Sequence, residues 1–148
     1  IPYVMAKSGK DLNEVMSDLN KKSGLLGISG ISSDFRDIEE EIEKGDERSL
    51  LAAKIFINKI VSYISYYNTI LGGADVIVFT AGIGENSIKL REKVMEQLKP
   101  IGVIGDIDKN KTRKKETLIS AENSGIMCYV IPTNEELMLA KEAYKFSS

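Results

Sequence analysis

Small and polar residues follow an apolar run at residues 76–79, and their types suit a phosphate or nucleotide ligand. They are Gly82, Ile83, Gly84, Glu85 and Asn86. Glycines allow a ligand to approach the backbone closely and adopt positive φ without steric cost. In an open α/β sheet, ligands bind beyond the carboxyl ends of the strands, where the N–H groups of a helix start are free. The segment lacks the third glycine and the lysine of known phosphate-binding motifs, so the alternative is a simple turn with Asn86 or Ser87 capping the next helix.

Two neighbouring acids follow a second apolar run, at residues 126–131. Thr133 and Glu136 have the spacing of a capping box, in which each side chain bonds the backbone N–H of the other residue. Glu135 is then left over in the first turn of the predicted helix. The helix dipole alone favours a carboxylate there. Because Mg²⁺ takes one or two carboxylates beside substrate phosphates, Glu135 is also a candidate metal ligand.

A third candidate site lies at residues 32–37, where hydroxyl and carboxylate side chains precede an arginine at a predicted helix start. Arg36 could stack on a flat base or donate to ribose and phosphate oxygens. Its ordinary alternative is a surface ion pair with Asp37 or Glu40. The ordinary expectation for Phe35, a large apolar residue, is a place in the core.

Alternating helix and strand patterns must position these segments. Apolar spacing predicts helices at residues 10–22, 34–44, 46–71 and 88–99 and after residue 132, and continuous apolar runs predict strands at 76–79 and 126–131. The strand at 76–79 is expected to be buried on both faces. Residues 24–33 are expected to form an ordered loop or a short strand. The pattern indicates an α/β fold with a mainly parallel sheet.

The longest predicted helix, residues 46–71, carries apolar side chains on more than one side. Its main stripe runs from Leu50 to Leu71, and Phe56, Tyr63 and Ile70 form a second stripe spaced by seven. Such a helix needs either a deep core or a partner to cover it.

Composition excludes several classes of protein. The chain has 148 residues, no histidine, one cysteine and a net charge of −2. Without histidine it cannot build a Ser-His-Asp triad or an HExxH zinc site. A single cysteine fits a reducing, cytoplasmic setting, the charge argues against nucleic-acid binding, and no apolar run approaches the ~20 residues that a membrane span needs. Because residue 1 is Ile rather than Met, we expect a piece of a longer protein.

Three motifs occur together in one order. The first runs from residue 23 to 37 and includes Asp34-Phe35-Arg36-Asp37, the second is Val78 to Ser87 and the third is Val130 to Leu137. Together they resemble the acetate kinase family, over nearly the whole chain but only the carboxyl-terminal portion of that family's sequence.

The resemblance implies a fold and a set of ligands. It implies a ribonuclease-H-like domain of the sugar kinase, heat-shock chaperone and actin superfamily, in homodimers that phosphorylate acetate, a small carboxylate, with ATP and Mg²⁺. It implies that Asp34, Phe35 and Arg36, with residues 82–86, line the adenosine pocket, and that Glu135 helps to place the magnesium.

The resemblance also implies what this chain lacks. The amino-terminal domain with the catalytic residues has no counterpart, so we expect residues 1–148 to be a nucleotide-binding fragment that is inactive alone. Propionate kinases share the turn at residues 82–86, so acetate is an expectation rather than a deduction. A different alternative is a dimerisation or structural module without ligand binding.

Overall fold

The computed structural model describes residues 1–113 and 115–147. Along these residues run helices, strands and two short 3₁₀ turns, Lys99–Ile101 and Lys109–Lys111. The helices are α1 Pro2–Ser8, α2 Leu12–Lys21, α3 Gly24–Ser29, α4 Phe35–Glu43, α5 Glu47–Ile70, α6 Ala81–Asn86, α7 Ile88–Gln97 and α8 Glu135–Ser147, and the strands are β1 Val76–Phe79, β2 Thr117–Leu118 and β3 Met127–Val130. None of the described helices has the length and apolar character that crossing a membrane requires.

The chain divides into two compact units, Ile1–Lys59 and Ile60–Ser148, and the division falls within α5. The first unit is helical and encloses a small apolar core. In it the rings of Phe35 and Phe56 lie 5.3 Å apart between centroids. Phe56 is half-buried, and the buried apolar residues of this unit besides Phe35 are Val15, Ile38, Ala52, Ala53 and Ile57. The expected helices at 10–22, 34–44 and 46–71 are confirmed, and Asp46 caps the longest by accepting from Ser49 N at 2.6 Å.

Residues 24–29 form a helix, so the expectation of a loop or strand there was wrong. Glycines bound this helix: Gly24 and Gly30 have φ of +61° and +75°, which side-chain-bearing residues rarely adopt. Six residues are too few to show a helical period, so the apolar spacing could not reveal it.

A three-stranded sheet in the order β1-β3-β2 organises the second unit. β1 and β3 are parallel, with Phe79 opposite Val130, as the alternating pattern predicted. β2 is antiparallel to β3 and was missed, because two residues carry no periodic signal.

Only one face of the sheet is buried, so the expectation that residues 76–79 are buried on both faces was wrong. Ile77 and Phe79 are buried, whereas Val76 and Val78 are exposed. A short β-branched run is compatible with one-sided as well as two-sided burial. Cys128 on the neighbouring strand is fully buried, and burial raises the pKa of its thiol to about 11.

Candidate functional site

The loops that follow β1 and β3 leave the sheet side by side. The two strands are parallel and adjacent, and Ile131 N donates to Phe79 O at 3.0 Å where both end. The segments predicted to carry chemistry after each strand therefore meet at one edge of the sheet. This is the edge at which open α/β sheets bind their ligands.

The first of these loops folds at once into α6. Its positive φ falls on Ala81, at +59°, and neither Gly82 nor Gly84 needs the positive φ that their types allowed. Gly84 is tightly packed, since a Cβ there would lie 3.3 Å from the carbonyl carbon of Phe79. A Cβ at Gly82 would meet no atom of the described residues within 4 Å. Packing accounts for the glycine at position 84, whereas nothing in the fold requires one at position 82.

Helix α7 is capped by Ser87. Its Oγ accepts from Leu90 N at 3.1 Å. Asn86 instead donates from Nδ2 to Gly82 O at 2.7 Å, which closes α6 on itself. The expectation that Asn86 or Ser87 caps this helix is thus confirmed, and the cap is Ser87.

Glu85 connects the two loops. The residue is only 8% exposed, and its Oε1 accepts from both Thr133 N, at 2.8 Å, and Thr133 Oγ1, at 2.9 Å. The helix α8 is capped by Asn134, whose Oδ1 accepts from Leu137 N at 2.9 Å. The predicted capping box of Thr133 with Glu136 was therefore wrong, because Thr133 is committed to Glu85.

Glu135 stands at the start of α8 as an exposed carboxylate. No ion pair of the described residues engages it, and it lines an open groove with Thr133, Asn134 and Met138. Among the described residues, no three or more histidine, cysteine or acidic side chains are grouped so that they could hold a metal ion. This donor set does not suit a metal bound by protein alone, but it fits Mg²⁺, which keeps several waters and shares substrate phosphates.

The third predicted segment lies in the first unit. Arg36 Nη2 lies 2.5 Å from Asp34 Oδ2, and Arg36 Nε donates to both carboxylate oxygens of Asp34. The expected ion pair with Asp37 or Glu40 was therefore wrong, and Asp37 accepts from Ser32 Oγ instead. Phe35 is buried in the core, as expected from its type. The Arg36 side chain is 79% exposed, so the face of its guanidinium is open to a ligand.

The pair of Asp34 and Arg36 makes a prediction for acid titration. The guanidinium of Arg36 holds the pKa of Asp34 at about 2, below its ordinary 3.8. Any stability from this ion pair is present above pH ~4 and is lost as the pH falls toward 2. We expect Arg36→Gln to move the pKa of Asp34 back toward 3.8, measured by carbon-13 NMR. Asp18, whose pKa of about 2 is set by Lys10 and Lys22, serves as the unchanged reference. A value for Asp34 that stays near 2 would show that the backbone N–H of residue 36 is the cause.

Arg91 is a buried residue that the sequence reasoning missed. It is fully buried, and its guanidinium makes five hydrogen bonds: Nε to Asn110 Oδ1, Nη1 to Gly84 O and Glu85 O, and Nη2 to Asn110 O and Thr112 O, at 2.7–2.9 Å. Burial lowers the pKa of Arg91, and the charge of Arg113 lowers it further. Its position beside Val94 and Leu98 on the buried side of α7 was the available signal, because an arginine on an apolar face needs a polar partner.

The segments are thus distributed over both units. Residues 82–86 and Glu135 lie in Ile60–Ser148, where Glu85 and Thr133 bring them together. Asp34, Phe35 and Arg36 lie in Ile1–Lys59.

Comparison with known proteins places this chain in a family. The model of the acetokinase family matches residues 1–141. The chain belongs to this family. Acetate kinase of Shouchella clausii is 49% identical over 148 residues, covering 100% of this chain and 38% of that protein. Acetate kinase of Staphylococcus haemolyticus is 50% identical over 147 residues, covering 99% of this chain and 37% of its own length. This acetokinase chain therefore spans little more than a third of these relatives.

Solved structures share the fold of this acetokinase chain. The crystal structure of Porphyromonas gingivalis acetate kinase matches with a TM-score of 0.90 and 38% identity, over 99% of this chain and 37% of that one. A propionate kinase from Francisella tularensis matches with a TM-score of 0.86 and 38% identity, over 95% of this chain and 36% of its own. The α/β fold expected from the sequence is confirmed. These matches give the share of each relative that is covered, and the carboxyl-terminal assignment and the ribonuclease-H-like class stay predictions.

Proposed function

We propose that this chain is the nucleotide-binding portion of a Mg²⁺-dependent kinase that transfers the γ-phosphoryl group of ATP to acetate. In that reaction an oxygen of the acetate carboxylate forms a bond to the γ-phosphorus. The bond between that phosphorus and the β,γ-bridging oxygen breaks, and ADP leaves. Membership of the acetokinase family supports the reaction class.

The observation that carries the proposal is the meeting of two loops at one sheet edge. Helix α6, which contains Gly82, follows β1, and the loop that leads to Glu135 of α8 follows β3. The hydrogen bond of Glu85 to Thr133 joins them. In our proposal, the backbone at residues 82–86 lies against the nucleotide. Gly82 supports this, because neither positive φ nor packing requires a glycine there. The absence of a side chain leaves room for a ligand.

Glu135 would hold the magnesium ion. When bound, the ion would neutralise charge on the phosphates during transfer. An exposed carboxylate at the first turn of α8 can reach an ion that also contacts phosphate oxygens and water.

Asp34 and Arg36 are proposed to contact the adenosine, and Phe35 is proposed to hold them in place. Arg36 is suited to stacking on the base because Asp34 fixes its planar guanidinium while its face stays open. Phe35 acts from the core, where its ring supports the segment rather than touching solvent.

The direct test is calorimetric titration of the chain with ADP, with and without Mg²⁺, beside a coupled assay with ATP and acetate. We expect ADP binding that Mg²⁺ tightens. We expect no turnover from the chain alone, since it spans about 38% of its relatives and phosphoryl transfer needs further groups to position the acetate. Absence of ADP binding under both conditions would contradict the proposal.

Gly82→Val provides a control on the site. The added Cβ meets no atom of the described residues within 4 Å, so we expect the free energy of unfolding to stay within about 0.5 kcal/mol of the wild type. If the nucleotide occupies that space, ADP affinity falls by about tenfold, a loss of ~1.4 kcal/mol. Calorimetry and thermal unfolding of the same sample measure both quantities. Unchanged affinity in a folded variant would place the nucleotide elsewhere.

Propionate is a second candidate substrate, because the Francisella tularensis propionate kinase shares the fold at the same sequence identity as the acetate kinase structure. Parallel coupled assays of the whole kinase with acetate and propionate separate the two.

A second copy of the chain is the proposed protein partner, since apolar and aromatic side chains are exposed on α5, namely Tyr63, Tyr66, Tyr67 and Ile70. If the chain dimerises without binding ADP, the alternative of a dimerisation module stands instead.

A further inference from the structure

A buried acidic residue within α6, the segment proposed to lie against the nucleotide, is an unusual feature. Glu85 is 8% exposed, although acidic residues are almost never fully buried unless they are paired or hydrogen-bonded. Its neighbours in the turn, Gly82 and Asn86, are not buried. A side chain that reached a bound nucleotide from this segment would be expected at the surface rather than in the protein interior.

The carboxylate of Glu85 is directed at a residue of the other loop. One oxygen, Oε1, accepts both the N–H and the hydroxyl of Thr133, at 2.8 and 2.9 Å. Hydrogen bonds to an ionised acceptor are stronger than neutral ones. Glu85 therefore fixes the backbone and the side chain of Thr133 at the same time.

The main chain of Glu85 is held from the opposite direction. Arg91 Nη1 donates to Gly84 O at 2.9 Å and to Glu85 O at 2.8 Å. Because the five hydrogen bonds of the guanidinium anchor it in the core, the position from which Glu85 reaches Thr133 is itself fixed. A rigid connection thus runs from the buried Arg91 to the loop before α8.

We propose that Glu85 is a positioning residue for magnesium: it holds Thr133 and thereby sets the place of Glu135, two residues further along the chain. This inference rests on the proposed function of Glu135, and it replaces a direct contact of the Glu85 side chain with the nucleotide. Residues that orient a metal ligand from behind affect metal affinity on the order of tenfold or more.

The test compares three variants in the chain. Thr133→Val removes the hydroxyl donor at nearly constant volume, Thr133→Ser keeps it, and Glu85→Gln keeps an acceptor but removes the charge. Thr69→Val is the matched control, because it removes a threonine hydroxyl that donates to Ser65 O on exposed α5. Two measurements are made: ADP affinity by calorimetry over a Mg²⁺ series, and backbone amide hydrogen exchange at residues 133–137 without ligand.

We expect Thr133→Val and Glu85→Gln to raise the Mg²⁺ concentration for half-maximal tightening of ADP by about tenfold, a larger effect than any change in Mg²⁺-free ADP affinity. In these two variants, amide exchange at residues 133–137 is expected to accelerate. Thr133→Ser is expected to keep the Mg²⁺ requirement and the exchange rates of the wild type, and Thr69→Val is expected to change neither. Equal losses of ADP affinity with and without Mg²⁺ overturn the positioning role, because a nucleotide contact or general loosening gives that result.

The two hypotheses fail in different ways. A wild-type chain that binds no ADP overturns the proposed function. The exchange measurement still tests the role of Glu85 in that case. Unchanged amide exchange at residues 133–137 in Thr133→Val would show that the hydrogen bond between Glu85 and the Thr133 hydroxyl does not hold this loop in place.

Discussion

Replacing Arg91 with methionine is expected to lower the free energy of unfolding by about 3 kcal/mol, a large share of the stability of an ordinary domain. Methionine fills much of the volume but supplies none of the five hydrogen bonds. The carbonyl groups of Gly84, Glu85, Asn110 and Thr112 then lose their donor, and each buried acceptor without a partner costs about 1–3 kcal/mol. Access of water to the partly exposed loop at Thr112 keeps the sum below the total of the separate penalties. Chemical denaturation monitored by circular dichroism measures the change.

Two further variants separate geometry from charge. Arg113→Met makes the same substitution at an exposed position of the neighbouring loop, and we expect an effect within about 0.5 kcal/mol. Arg91→Lys keeps the positive charge but loses the planar fork, so it is expected to be destabilised nearly as much as the methionine variant. A lysine variant as stable as the wild type would show that charge at the carboxyl end of α6, rather than the hydrogen-bond network, is what matters.

Long periodic segments could be predicted from the sequence because burial of one helical face decides them. The stripe from Leu50 to Leu71 predicted α5 to within a residue of its ends, and Leu90, Val94 and Leu98 are all buried as α7 requires. The two parallel strands were recognisable from their apolar runs. The elements α3 and β2 are too short to show such a period. They depend on contacts that are distant in sequence, so they could not be predicted from the local sequence.

The sequence identified the segments that form the candidate site, but not the contacts between them. Residue types identified the loops after β1 and β3, since glycines and acids at strand ends are a local signal. Partners were a different matter: the distance of 48 positions between Glu85 and Thr133 leaves no trace in sequence spacing. The T-x-x-E spacing even predicted the wrong partner for Thr133, because the capping box competes with a buried carboxylate that only the fold brings near. At Thr133 the tertiary hydrogen bond to Glu85 therefore outweighs the local preference for a capping box.

Glu135→Gln is expected to raise the Mg²⁺ concentration needed for half-maximal tightening of ADP on the order of a hundredfold. An amide oxygen carries no net charge, so it attracts a divalent cation far less than a carboxylate does, and a direct ligand should matter at least as much as the residues that orient it. Affinity for ADP without Mg²⁺ is expected to stay the same or to improve slightly, because one negative charge near the phosphates is removed. Calorimetric titrations over a Mg²⁺ series measure both.

The adjacent Glu136 supplies the matched control. It is an exposed carboxylate in the same first turn of α8, and since Asn134 rather than Thr133 caps that helix, no capping box depends on Glu136. Glu136→Gln removes the same charge from the same helix end, so any general effect of the helix dipole or of net charge appears equally in both variants. We expect it to change the Mg²⁺ requirement by less than about twofold. Equal effects of the two substitutions would mean that the start of α8 acts through its total negative charge. Glu135 would then not be a direct ligand of the magnesium ion.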